Sequence, residues 1–367
     1  MIPFARIMTY GNKAPELAGV IKIASTNRGS FVLMSEGNLY YCGLNTNGEA
    51  AQGNANRILQ WTLVSSDVDD FYAYDTAVIL HKKDGTIWSS GRTTWFGVSG
   101  SITNILTDRT AWFSTIEWSN IKNMSFCTNG TIFIVTKDNK LYGASDMSSR
   151  GVLGNNSLVA IYTLTFFKDN VKFALAGLND SCYIDTSDNL YSTGWNDQGI
   201  HGTGNNTQIN VWGLRDTNVL SASLSNNIFV YYKSTEYKTC GNSPNFFGAA
   251  SNVFRTIPQA TLNSTYTLYH LLIPTSSTNT TTLVITDQYS KGVGNNALAL
   301  GVGSGSASSP TVSNLPIPAT EIKSIKMGQF NTLILSNNGK LYCTGSYYAM
   351  PGKSTDIYTF IEIDIPK

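Results

Sequence analysis

The sequence predicts an all-β fold: a seven-bladed β-propeller of four-stranded antiparallel blades, with an extra N-terminal strand. Three observations predict it. One phrase of β-forming residues recurs seven times along the 367 residues. Its copies stand roughly 47 to 54 residues apart, which is the spacing of propeller blades. The composition is that of a β chain crowded with turns, with 32 Gly and abundant Asn, Ser and Thr.

The clearest copy runs Ile322-Lys323-Ser324-Ile325-Lys326-Met327-Gly328-Gln329-Phe330-Asn331-Thr332-Leu333-Ile334-Leu335, then Ser336-Asn337-Asn338-Gly339-Lys340-Leu341-Tyr342-Cys343-Thr344-Gly345. Two apolar positions three apart open it, a small residue or Gly follows, and a run of β-formers comes next. The turn Asn337-Asn338-Gly339 tolerates positive φ between the second and third strands. Gly345, three residues after Tyr342, ends the third strand where the backbone must turn sharply. The same order recurs at Phe31 to Gly43, Val78 to Gly91, Ile132 to Leu141-Tyr142 with Ser145 at the Gly place, and Cys182 to Gly194. Two copies are degraded: Ile228 to Cys240-Gly241, and Leu283-Val284-Ile285 with Tyr289 and Gly292.

Each copy needs a fourth strand after a longer loop. Trp61 to Val64, Ile161 to Leu164 and Tyr358 to Ile361 supply three of them. One blade cannot bury both faces of its sheet, so blades stack face to face around a ring. Residues 1–20 form an N-terminal arm. Ile7-Met8-Thr9-Tyr10-Gly11-Asn12 reads as a lone strand that pairs with the last blade to help close the ring, or meets another subunit. Residues 21–367 form the propeller as one domain. Three stretches depart from the repeat and read as loops by composition: 92–118, 242–281 and the Gly/Ser/Ala-rich 292–309.

Charged residues are only 13% of the chain and the net charge is +1. That balance gives no electrostatic reason to expect nucleic acid or an anionic membrane as partner. The five cysteines are odd in number and scattered, and Cys42 and Cys240 occupy equivalent places in different blades. They read as small buried apolar residues in a reducing compartment. Met1 to Arg6 lacks the basic and apolar regions of a signal peptide, and no apolar stretch is long enough to span a bilayer.

The phrase resembles the repeat of the regulator-of-chromosome-condensation propeller family over about residues 20–367. The Gly-rich loop of that repeat is echoed by Gly43-Leu44-Asn45-Thr46-Asn47-Gly48 and Gly194-Trp195-Asn196-Asp197-Gln198-Gly199. The resemblance implies the fold. It leaves function open, because related propellers include small-GTPase exchange factors, ubiquitin-ligase modules, an ultraviolet sensor, β-lactamase inhibitors and phage virion proteins. The His that often precedes the second strand in that family is absent, with Asn331 in its place in the best copy. The photoreceptor's Trp and Arg clusters and the basic tail of the chromatin-bound exchange factor are missing too.

Catalytic signatures are scarce. His81, His201 and His270 fall in different repeats without metal-ligand spacing. Asp67-Val68-Asp69-Asp70 lacks EF-hand spacing and reads as a solvated loop between blades. Gly292-Val293-Gly294 fails the dinucleotide fingerprint and reads as a blade loop. No catalytic residue, metal or cofactor is expected. The expected partner surface is the long loops, with Trp95, Phe96, Trp112, Phe113, Phe246 and Phe247 as binding anchors. The low charge, polar small residues, free cysteines and single domain point to a bacteriophage virion component: a tail, fibre or capsid-decorating protein. Its expected partners are other virion proteins, then a host-surface receptor or glycan. An exchange factor is the second reading and a glycan-acting enzyme the third.

Overall fold

A computed structural model describes residues 19–97, 102–225, 227–234, 236–242, 250–257, 268–272, 281–287, 289–294, 297–305 and 307–367. These residues form seven sheets, each of four antiparallel strands consecutive in the chain. Short 3₁₀ turns are the helical elements among them. Blade one comprises Val20–Ser25, Gly29–Met34, Leu39–Gly43 and Ile58–Ser65. Blade seven comprises Ile322–Met327, Asn331–Ser336, Leu341–Gly345 and Ile357–Ile363.

Within each blade the first strand lies nearest the ring axis and the fourth lies outermost. We call the end carrying the first turn and the third-to-fourth loop the upper face. The second-to-third turns and the links between blades form the lower face.

The second strands form the deepest layer of the core. Gly29–Met34 of blade one, Thr131–Thr136 of blade three and Asn331–Ser336 of blade seven are buried along their whole length. Leu333, Leu335, Val78 and Leu80 are all 0% exposed, as the repeat register requires. They fill the gaps between neighbouring sheets. Val78 and Leu80 pack with Phe31 and Leu33 between blades one and two, and Leu333 and Leu335 pack with Val20 and Val32 between blades seven and one.

Glycine ends the third strand where the backbone leaves no room for a side chain. At Gly345 φ is +131°, and an added Cβ would collide with the backbone of Phe330 and Asn331. Blade three has Ser145 there, and its hydroxyl bonds that of Thr131 at 2.8 Å. In blade six this place belongs to Gly294, not Gly292, because the third strand runs Ser290–Gly294. The expected loop at Gly292-Val293-Gly294 is therefore a strand, with its register two residues later than the Tyr289-Gly292 pairing implied.

Other expected loops also contain strands. The fourth strand of blade two is Ile102–Asp108, inside the 92–118 stretch. Residues 242–281 hold Ser251–Thr256 of blade five and Leu268–Leu272 of blade six, and residues 292–309 run into Ala307–Val312. Asp69 and Asp70 lie on the first strand of blade two, Val68–Tyr74, rather than in a solvated loop. Residues 1–18 of the expected arm lie outside the described residues, and Val20 already belongs to blade one.

Among the described residues no sheet is shared between the two ends of the ring, and a backbone bond links them. Gly352 N, in the upper loop of blade seven, donates to Leu59 O on the fourth strand of blade one at 2.9 Å. The same latch recurs around the ring: Gly53 N to Asn104 O at 2.7 Å, Asn156 N to Asn210 O at 2.9 Å, Gly204 N to Asn252 O at 2.8 Å and Gly303 N to Tyr358 O at 2.8 Å. In these five places the upper loop caps the upper end of the next blade's outer strand. On the lower face, two-residue links such as Ser66-Asp67, Asp169-Asn170 and Thr217-Asn218 join blades. Asp67, Asn170 and Asn218 take the left-handed conformation that Asp and Asn tolerate.

Candidate interaction surface

The expected anchors in the 92–118 stretch do not form an exposed patch. Trp95 is 0% and Phe113 2% exposed, in a core with Phe126 and Ile132 of blade three. Phe96 and Trp112 are half-buried against that core, with their rings 4.7 Å apart and edge to face. Blades diverge towards the outside of a ring, and these aromatics fill the wedge between blades two and three. Trp112 Nε1 also donates to Tyr162 O at 2.7 Å. Tyr162 occupies the place that Asn210 and Leu59 hold in their own blades, so an indole makes the latch here that a loop amide makes elsewhere. As binding anchors, Trp95 and Phe113 are overturned by their burial. Phe246 and Phe247 lie outside the described residues.

The upper face is polar and cross-linked between blades. Asn27 N donates to Asp75 O at 2.8 Å, and Phe330 N donates to Asn27 O at 3.2 Å. Thr128 N donates to Asp75 Oδ2 at 3.0 Å, and Asn129 Nδ2 donates to Asn179 Oδ1 at 3.0 Å. These bonds tie the first turns of blades seven, one, two, three and four into a chain around the upper mouth. Arg28 stacks over Phe330 at 4.0 Å, Arg57 over Tyr348 at 4.5 Å, and Arg150 over Trp195 at 4.1 Å. Each pair crosses from one blade to its neighbour.

Asn45 and Asn196 shape the upper loops. Asn45 Oδ1 accepts from Ala50 N at 2.8 Å while its amide donates to Asn54 O at 2.9 Å. Asn196 repeats this with His201 N at 3.1 Å and Asn205 O at 2.9 Å. Amide side chains can both donate and accept, which explains Asn at this place in the Gly-rich loop.

Burial shifts several titrating groups. Glu49, 3% exposed, has its carboxyl raised to about 7, chiefly by burial and against the Asn47 hydrogen bonds. Asp180 is raised well above the carboxylate range by burial and then by Asp197. His201 Nδ1 lies 2.9 Å from Ser192 Oγ, a contact that could be mistaken for a nucleophile and its base. The ring is fully buried, and burial followed by Arg215 lowers its pKa to about 3. It stays neutral and enclosed, so the contact is structural. Among the described residues no cluster of His, Cys, Asp or Glu could hold a metal ion.

The surface that sequence reasoning missed is the outer rim. Fourth strands of all seven blades expose large apolar side chains: Leu59 and Leu63, Ile102 and Ile105, Tyr162 and Phe166, Val211 and Leu214, Val253, Val312 and Tyr358. Ile105 and Val312 are each 58% exposed. The latches bind the upper ends of these strands. Natural edge strands are usually guarded by charge, proline or a covering element.

Residues 322–346 match the Regulator of chromosome condensation (RCC1) repeat. The chain is similar in fold to Prp20p from Saccharomyces cerevisiae, from a study of its binding to Gsp1p and histones, at 15% identity and a TM-score of 0.50, covering 94% of this chain and 77% of that one. It is similar to yeast RCC1 (Prp20) bound by Kap60 at 15% identity and a TM-score of 0.51, covering 94% and 75%. Human WBSCR16 gives 13% identity and a TM-score of 0.49, covering 95% and 83%. A search of the curated proteins finds no match. The repeat match, the seven sheets and the likeness to Prp20p describe an RCC1-like β-propeller.

Proposed function

We propose that this chain is a noncatalytic binding propeller that contacts its neighbours through its outer rim, as a subunit of a bacteriophage virion. The observation that carries the reading is the exposure of large apolar side chains on every fourth strand. Scattered single apolar residues on a surface need no explanation, but a band repeated at one structural place does. A propeller working alone in solution gains nothing from an exposed apolar rim. A propeller packed among other subunits buries it.

Low charge density supports the same setting, because rim contacts then form without desolvating many ions. Other virion structural proteins are the first partners. A host-surface receptor or glycan would meet the cross-linked upper face, where arginine and aromatic side chains are already ordered. Virion assembly would place the chain in the host cytoplasm before packaging.

The test is co-sedimentation of the chain with purified particles, alongside a variant carrying Leu63→Lys and Phe166→Lys. The reading expects the wild-type chain in the particle fraction and the variant in the soluble fraction, both folded. Accelerated nucleotide release from a small GTPase, with no particle association, would instead favour a regulatory role of the kind that the likeness to Prp20p suggests.

A further inference from the structure

We infer that the central channel binds a small divalent oxyanion of the phosphate or sulfate class between Lys326 and Lys22. First strands of blades one, two, three and seven enclose a cavity of about 230 Å³ on the axis, and both lysines line it. Ser25, Tyr72 and Asn123 line the same space. The site is distinct from the rim and from the upper face.

The charge balance around the cavity is uneven. Lys22 Nζ bonds Asp70 Oδ1 at 2.6 Å and lies 4.2 Å from the centre of the Tyr72 ring. Trp118 Nε1 donates to the other oxygen of Asp70 at 3.2 Å, so that carboxylate is fully engaged. Lys122, on the wall from blade three, turns its ammonium to Asn139 Oδ1 at 2.8 Å. Lys326 makes no ion pair among the described residues, although Ser25 Oγ holds its carbonyl at 3.0 Å. Its side chain is open to the channel solvent and lines the cavity. Desolvation by those walls and then the neighbouring Lys22 push its ammonium pKa down.

Two ammonium groups therefore line the cavity, and the carboxylate beside them, Asp70, is bonded by Lys22. Coulomb energies grow as the dielectric falls, so the excess positive charge attracts a counterion more strongly there than at an open surface. The donors suit an oxyanion. Each ammonium offers three N–H groups, and the Asn123 amide adds another kind of donor. Asn123 Oδ1 already accepts from Ala174 N at 3.3 Å, which points its amide hydrogens away from that bond.

Calorimetric titration of the full chain with inorganic phosphate, sulfate and glycerol 3-phosphate tests the proposal at low ionic strength. The free ions are expected to bind with one-to-one stoichiometry. Binding of glycerol 3-phosphate as tightly as phosphate would identify an ester as the natural source, and its exclusion would identify the free ion. Lys326→Met should weaken phosphate binding about ten-fold or more, as expected for one lost charge-assisted contact. Lys353→Met, at an exposed upper loop, should leave it unchanged. Asp70→Asn should tighten it, because Lys22 loses its competing carboxylate; a merely structural Asp70 would not produce a gain. If Lys326→Met unfolds the chain, Lys326→Gln serves in its place. Phosphate that fails to bind at millimolar concentration, or binds a folded Lys326 variant as tightly as the wild type, overturns the inference.

Discussion

Glu49→Gln should stabilise the protein at pH 8 and do little at pH 4.5. Glu49 is 3% exposed in the upper loop of blade one, and its Oε2 accepts from Asn47 N at 3.1 Å. Burial raises its pKa from the ordinary 4.5 to about 7. Between these two values the unfolded chain has released a proton that the folded chain still holds. Stability must therefore fall as pH rises across that window and level off above it. At about 1.4 kcal/mol per tenfold change in proton affinity, the loss amounts to about 3 kcal/mol. Gln resembles the protonated acid and can accept the same Asn47 hydrogen bond, so it escapes the loss. Urea unfolding of wild type and variant at pH 4.5, 6 and 8 gives the difference directly and cancels the contribution of Asp180. The expected difference grows from near zero to about 3 kcal/mol. A difference that stays flat across this range would refute the reasoning.

Leu333→Ala should cost about 2–5 kcal/mol in denaturant unfolding, because the side chain is fully buried at the seam that closes the ring; a loss below about 1 kcal/mol would contradict the register. Trp95→Ala should cost about 3–5 kcal/mol. Leu63→Ala, on the rim, should change the stability of the isolated chain by no more than about 0.5 kcal/mol. Equal effects of these two would mean that the aromatic wedge or the rim is misplaced. The five cysteines are buried and unpaired. Burial raises the Cys42 and Cys127 thiols to about 12, so a thiol reagent at pH 8 should react slowly with native protein and rapidly with all five once urea is added; fast native labelling would contradict their burial.

Periodicity made most of the fold legible. Leu333, Leu335, Val78 and Leu80 declared themselves as core because each sits in a run bounded by the same turn and the same glycine. Elements without that frame were lost. Ile102–Asp108 lacks the repeat's apolar-aromatic pair and lies among conspicuous aromatics, so it read as loop. Blade six offered two glycines in Lys291-Gly292-Val293-Gly294, and only the position of the backbone crossing shows which one ends the strand. The latches were illegible in principle, because they use backbone groups that any residue carries. For the candidate surface, large aromatics in long loops signalled burial as readily as contact, and Trp95 shows the former. The rim gave no contrast, because outer strands such as Ile58–Ser65 and Ile161–Lys168 carry apolar residues on both faces.

The central claim is that the outer rim is a contact surface in an assembled particle. Site-specific photo-crosslinking from Leu63 and Phe166, in particles carrying this chain, tests it most directly. The account predicts crosslinks from both positions to neighbouring virion subunits, and none from Asn338 in an exposed lower turn. Equal labelling from all three positions, or crosslinks from none of them, would contradict it.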